Sequence, residues 1–353
     1  MEPRGERPQL QSVRTAVVGA SGYSGQELLH YLARHPVFNL CLVTSRQNAG
    51  QPLSQFVHGL PRKLGALTFA DSKPDFTLAE QADLFFLAVP HGTASPYAVA
   101  LREAGKTVVD LSADFRTTDP AIYKQFYDHE HPAPALLAEA VYGIPEIHRE
   151  RLKLARLIAA PGCFPTSIIL PLAPFLRADW LELDSIVATS LSGVSGAGRK
   201  LEMRLLFGEV TDNMYPYGVP QHRHLGEIEQ ELSLAAGEKI VITFVPHLVP
   251  IHRGMISTIT ARLSRSVTNA EVQDVLQDTY GEEPFVEVLS APALPQARQV
   301  ANSNRIQVAA RIDERTNRLL LFSSLDNLGK GNASQAIQAA NLASGLEETL
   351  GLL

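Results

Sequence analysis

The feature that most constrains the fold lies near the start of the chain. Thr15-Ala16-Val17-Val18 is a short apolar run, Gly19-Ala20-Ser21-Gly22-Tyr23-Ser24-Gly25 follows it, and Gln26 to Leu32 then carries helical spacing. Strand, glycine turn and helix in that order set Gly19, Gly22 and Gly25 at G-x-x-G-x-x-G spacing, a variant of the dinucleotide fingerprint. Glycines there let the backbone approach a pyrophosphate, and the free N–H groups of the helix start hold it. Gly19, Ser21, Gly22, Tyr23, Ser24 and Gly25 are therefore candidate cofactor-binding residues. The bland alternative is a strand-to-helix turn without a ligand.

The next apolar run, Val37 to Val43, ends in Thr44-Ser45-Arg46. In such folds this strand end distinguishes NAD from NADP, because a carboxylate there accepts from the ribose 2′-OH and repels a 2′-phosphate. No carboxylate is present, and the Ser45 hydroxyl and Arg46 guanidinium suit a 2′-phosphate, so the expected cofactor is NADP (NADPH). A solvated arginine on a loop is the competing reading. Asp83 to Val89 and Lys106 to Leu111 repeat the rhythm, each nearly continuous in apolar residues. Strands of this kind are buried on both faces, which predicts an α/β, Rossmann-type, mostly parallel sheet. Ligands gather beyond the strand C-termini in such sheets, placing His91 and Ser112 to Arg116 near the cofactor, although each could equally be a loop residue with no such role.

Beyond residue 163 the strands alternate more and the loops lengthen: Ser185 to Ser190, Lys239 to Phe244, Gly254 to Thr260, Arg305 to Ala310 and Arg318 to Phe322. A helix is expected over Asn269 to Tyr280 after a Thr268 cap, and another over Ser334 to Leu350. The organisation read from this is a mobile tail at 1–13, a dinucleotide domain at 14–162, an α+β catalytic and dimerisation domain at 163–325, and a C-terminal helix at 326–353 that returns to the first domain.

Bulk properties narrow the partners. A formal charge of −6 over 353 residues argues against nucleic acid or an anionic membrane as partner. No apolar run reaches the roughly 18 residues a spanning helix needs, and no secretory segment is visible. The chain has two cysteines, far apart, so no disulfide framework is expected and the compartment reads as reducing and cytoplasmic. Cys41, within Val37 to Thr44, is read as core.

Cys163 is different. It follows a Pro-Gly turn in Ala160-Pro161-Gly162-Cys163-Phe164-Pro165-Thr166-Ser167 and precedes an apolar helix, where free N–H groups and the helix dipole lower a thiol's pKa. A small buried hydrophobe is the rival reading. His222-Arg223-His224 offers two imidazoles at i and i+2, and His247 and His252 follow. Histidine is the usual proton carrier at neutral pH. No paired cysteines with ligand spacing and no His-Glu-x-x-His occur, so no metal is expected. An NADP site plus a reactive thiol points to a thioester or thiohemiacetal that exchanges hydride.

These residues carry a resemblance. The glycine loop, Leu111-Ser112-Ala113-Asp114-Phe115-Arg116, Pro161-Gly162-Cys163-Phe164-Pro165-Thr166, Ser192-Gly193-Val194-Ser195-Gly196-Ala197-Gly198-Arg199, His222-Arg223-His224, Pro246-His247-Leu248 with Arg253-Gly254, and Asp326-Asn327-Leu328 resemble, in order, the N-acetyl-gamma-glutamyl-phosphate reductases of arginine biosynthesis. That family is related to aspartate-semialdehyde dehydrogenase. The resemblance implies a catalytic domain of the semialdehyde dehydrogenase and glyceraldehyde-3-phosphate dehydrogenase kind, and reduction of N-acetyl-glutamyl 5-phosphate by NADPH through a thioester on Cys163. His224 or His222 would move the proton. Arg116, Arg199 and Arg253 would bind substrate phosphate or carboxylate, and Ser195, Gly196 and Asn327 would lie near the nicotinamide. It also implies a homo-oligomer, dimer or tetramer. Ser167 departs from the family's usual Gly or Ala, and its hydroxyl is expected to cap the following helix. The alternatives are a reductase of aspartyl phosphate or of a carrier-linked aminoadipyl phosphate, a non-catalytic NADP-sensing Rossmann protein, and a cysteine hydrolase.

Overall fold

The structure, a computed structural model, describes residues 11–73, 76–199 and 201–353. Of the tail expected at 1–13, residues 1–10 lie outside the described residues, and Val13 already opens a strand.

The apolar runs of the first half form a six-stranded sheet: β1 (Val13–Val18), β2 (Phe38–Thr44), β3 (Leu84–Leu87), β4 (Thr107–Asp110), β5 (Val141–Tyr142) and β6 (Leu157–Ala159). Their order is β2-β1-β3-β4-β6-β5, and every pairing is parallel. Successive residues feed two cores, as the two-residue period of a strand requires. Val17, Phe86, Val109 and Ile158 pack under helix α1 (Tyr23–Leu32), while Ala16, Val18, Phe85 and Val108 pack under α2 (Ser95–Glu103). Two further helices of this half are α3 (Pro120–Tyr127) and α4 (Pro145–Leu152).

Cys41 is exposed, not core. β2 is the sheet edge and alternates along its first residues, so Cys41 shares an outward side with Asn39. The apolar context that suggested burial belongs to its neighbours.

The second half builds a seven-stranded sheet from β7 (Val187–Gly193), β8 (Tyr215–Pro216), β9 (Thr243–Val249), β10 (Met255–Arg262), β11 (Val286–Val288), β12 (Ile306–Asp313) and β13 (Arg318–Leu325). The order is β11-β12-β13-β10-β7-β9-β8, parallel at β11/β12 and β7/β9 and antiparallel elsewhere. One face is covered by α5 (Cys163–Arg177), α6 (Leu225–Ala236) and α7 (Asn269–Tyr280), whose apolar stripes share a core with Phe244, Ile259 and Leu321. On the opposite face Leu191, Val245, Ile256, Leu320 and Phe322 are left only half-buried.

α7 begins as expected, with a complete Thr268/Glu271 capping box. β9 does not: Lys239 to Ile242 are irregular, and the strand runs on through Pro246-His247-Leu248. The last helix, α8 (Ser334–Ala343), stops seven residues short of Leu350, and Gly345 turns the chain at φ +67°. α8 lies in the core of the first sheet beside α1.

Candidate active site

Cys163 is the first residue of α5, with Gly162 as its extended N-cap (φ −71°, ψ 159°). The glycine is required by packing. A Cβ on Gly162 would lie 2.6 Å from His224 Cε1 and 3.0 Å from Glu227 Oε1. A second glycine, Gly331, approaches from a single π-helical turn (Gly329–Ala333), where a Cβ would sit 2.7 Å from Cys163 Cβ. Ser167 lies inside α5 and caps nothing; its hydroxyl donates to Phe164 O at 2.8 Å and meets Ser257 Oγ at 2.7 Å.

The thiol is not activated at rest. Burial pushes Cys163 up to about 11, outweighing the Phe164 N–H and the Arg116 charge, which favour the thiolate. The helix start acts in the expected direction but is the smaller effect. Burial also keeps both histidines neutral: His222 is lowered to about 4, with help from Arg223, and His224 falls well below its ordinary value. Burial therefore favours a thiol and neutral imidazoles here.

His222 and His224 come together in a turn rather than an extended strand, with ring centroids 4.8 Å apart and both rings edge-on to Phe164. The turn is fixed by His224 N–H donating to His222 Nδ1 at 3.1 Å. His222 Nδ1 is therefore committed to the backbone. His224 Nε2 lies 3.9 Å from Glu227 Oε1, and its Nδ1 is buried without a hydrogen-bond partner.

Glu227 and Tyr142 were missed by the sequence reading. Glu227, 2% exposed, accepts from Tyr142 Oη at 2.6 Å, from Gly162 N–H at 3.1 Å and from Arg116 Nη1 at 3.1 Å. One signal was available: Glu227 follows His224 by three residues, which on a helix is the same face. Tyr142, on a two-residue strand far away in sequence, gave none.

The three arginines expected at the substrate are engaged elsewhere. Arg116, 4% exposed, donates through Nε to Ala160 O, through Nη2 to Leu111 O and through Nη1 to Glu227. Arg253 ties Glu27 on α1 to Asp326 at the end of β13, at 2.9 and 2.8 Å. Arg199 reaches the glycine loop instead, donating to Ser21 O at 3.0 Å over the Tyr23 ring.

That loop has the form a dinucleotide needs. Gly19 adopts φ +83°, and a Cβ there would lie 2.5 Å from Ala88 O, so only glycine fits. Gly25 likewise abuts Ala20, whereas the position of a Gly22 Cβ is open, with only Gly19 O near at 3.8 Å. Gly22 is the N-cap of α1 and no side chain caps the helix, leaving the first-turn N–H groups of Tyr23, Ser24 and Gly25 for a ligand. The Ser21 and Ser45 hydroxyls meet at 3.1 Å, and exposed Arg46 follows. Asn327 donates through Nδ2 to Ser195 Oγ at 2.9 Å and accepts from Gly254 N–H at 2.7 Å. Gly196 lies beside the same amide.

The carboxylates near enough to share a cation among the described residues, Glu146, Glu283 and Glu348, are bridged by Lys330 and Arg149. No helix of the described residues is long and apolar enough to cross a membrane.

The two halves match two family models, the semialdehyde dehydrogenase NAD binding domain over residues 14–155 and the semialdehyde dehydrogenase dimerisation domain over residues 163–327. Fold and site thus define a semialdehyde dehydrogenase. Solved structures with this fold include aspartate semialdehyde dehydrogenase II from Vibrio cholerae, with TM-score 0.72 and 19% identity over 94% of this chain and 98% of that one. The enzyme from Candida albicans, solved with NADP, gives TM-score 0.72 and 18% identity over 95% and 99%. Among curated relatives, N-acetyl-gamma-glutamyl-phosphate reductase from Akkermansia muciniphila is 47% identical over 97% of this chain and 99% of its own length. The protein of the same name from Geobacter sulfurreducens is 46% identical over 96% and 98%. The chain belongs to the N-acetyl-gamma-glutamyl-phosphate reductase family.

Proposed function

We infer that this chain reduces N-acetyl-L-glutamyl 5-phosphate to N-acetyl-L-glutamate 5-semialdehyde with release of phosphate, a step of arginine biosynthesis, with NADPH as the reductant. The observation that carries the chemistry is Cys163 at the start of α5, flanked by Gly162 and Phe164, both of which meet a buried His224 whose Nδ1 has no partner. The relatives' shared name supports the substrate.

Cys163 Sγ attacks the acyl carbon as His224 Nδ1 takes the thiol proton. The Glu227 carboxylate, 3.9 Å from Nε2, and the engagement of His222 Nδ1 by the backbone support giving this role to His224 rather than His222. The proton passes on to the bridging oxygen, the C–O bond to phosphate breaks, and a thioester remains. First-turn N–H groups of α5 stabilise the oxyanion. Bound NADPH supplies the hydride for the thioester carbon. Collapse of the resulting adduct re-forms a carbonyl, breaks the C–S bond and returns the thiolate, which takes up the one proton the overall reaction consumes. Ser21, Ser45 and Arg46 would hold the 2′-phosphate, the glycine loop the pyrophosphate, and Ser195, Gly196 and Asn327 the nicotinamide end.

The half-buried face of the second sheet, with Leu191, Ile256, Leu320 and Phe322, supports assembly with a second copy of the chain. The compartment is the cytoplasm.

The deciding experiment runs the reaction backwards with NADP⁺ and phosphate, offering N-acetylglutamate semialdehyde against aspartate semialdehyde. Preference for the acetylated aldehyde is expected, and preference for the other would overturn the assignment.

A further inference from the structure

The leaving phosphate needs a cationic receptor, and each of the arginines expected at the substrate already has partners of its own. Arg116 is locked between two carbonyls and Glu227, and Arg253 between Glu27 and Asp326, while Arg199 is exposed and donates through Nη1 to Ser21 O of the glycine loop. Arg223 is different: it is exposed and has no hydrogen bond or ion pair among the described residues.

Its place follows from the turn it occupies. His222 and His224 point inward onto Phe164, the residue after Cys163, and are 8% and 7% exposed. The hydrogen bond from His224 N–H to His222 Nδ1 draws these two together and leaves the intervening side chain on the solvent side. α6 begins directly after, and its Gly226 packs against Phe126 of α3, so this turn stands between the end of α3 and the nucleophile.

Resting on the acyl-phosphate reading, we propose that Arg223 is the phosphate-binding residue of the site: its guanidinium holds the phosphoryl group of the substrate and, in the reverse direction, the incoming inorganic phosphate. The proton path supports it. His224 hands its proton to the bridging oxygen, so the phosphoryl group must lie at His224, and Arg223 is the adjoining residue with its donors unengaged. A guanidinium fork matches phosphate oxygens in bidentate fashion. An exposed position suits a group that must leave to solvent. The positive charge of Arg223 also bears on His222, His224, Tyr127 and Tyr217, which surround the site from separate elements.

The test is steady-state kinetics of Arg223→Gln and Arg223→Lys in the reverse direction. For Arg223→Gln the KM for inorganic phosphate should rise about tenfold or more, the loss expected for a charge-assisted contact, while the KM values for aldehyde and NADP⁺ stay within about twofold. Arg223→Lys should recover part of the phosphate KM by keeping the charge. A rise in the aldehyde KM without one in the phosphate KM would overturn the proposal and put the substrate's carboxylate on Arg223. Unchanged KM values in a folded Arg223→Gln would overturn it too. A wild-type enzyme indifferent to phosphate would instead overturn the acyl-phosphate reading, and this inference with it.

Discussion

The chemistry of single residues is set by burial more than by sequence neighbours. Cys163 was legible because a Pro-Gly turn before an apolar helix is a local pattern, but its raised pKa was not, since the walls that desolvate it come from Gly331 and the His224 turn. Cys163→Ser should abolish turnover while NADPH binding, followed by fluorescence titration, stays intact; normal turnover would rule out the thioester. Asp110, fully buried at the end of β4, is a second case. Burial first and Asp114 second raise it to about 7, although Ser112 donates to both its oxygens. Because its folded pKa stands above the unfolded 3.8, the folded chain holds a proton that the unfolded chain releases. That stability is present below about pH 4 and is lost as pH rises toward 7. Asp110→Asn should therefore raise Tm relative to the wild type more at pH 8 than at pH 4, and equal shifts at both would show that Asp110 does not titrate this way. Glu227 shows why part of the site was invisible: Glu227, Glu229 and Glu231 share one helix, and only packing on α3, α4 and α5 separates the buried pair from Glu229.

At the level of elements, position depends on a few buried polar joints. The π-helical turn that brings Gly331 against Cys163 is held by Lys330, which pairs with Glu146 of α4 at 2.5 Å; both side chains are 0% exposed. Lys330 also donates to Gln338 Oε1 at 2.7 Å. Lys330→Met strands a buried carboxylate and should destabilise the fold by roughly 3–5 kcal/mol in urea titration. Adding Glu146→Gln should restore much of that, and a double variant as unstable as the single would argue against charge as the cause. The parallel first sheet was readable because its strands are uniformly apolar, and α7 because Thr268 and Glu271 are neighbours in sequence. The course of β9 was not. The expected strand stopped at Phe244, before Pro246, whereas the parallel partner β7 pairs with residues 243 to 249 and carries it through.

The molecule as a whole joins two domains at the site. Arg253 spans from α1 to Asp326, and Arg199 reaches from the second domain to Ser21, so the glycine loop and the nucleophile are held in one frame. The residues expected to meet a 2′-phosphate, Ser45 and Arg46, lie on the first domain alone. Arg46→Glu should raise the KM for NADPH far more than that for NADH, and equal losses would remove Arg46 from the 2′-phosphate site. The enclosure of Cys163 between α5, the His222–His224 turn and the π-helical turn has a consequence for the cell's oxidants. Peroxides attack thiolates, and burial, which pushes this thiol up to about 11, disfavours the thiolate at neutral pH. By disfavouring the thiolate, burial should slow oxidation of Cys163 by hydrogen peroxide.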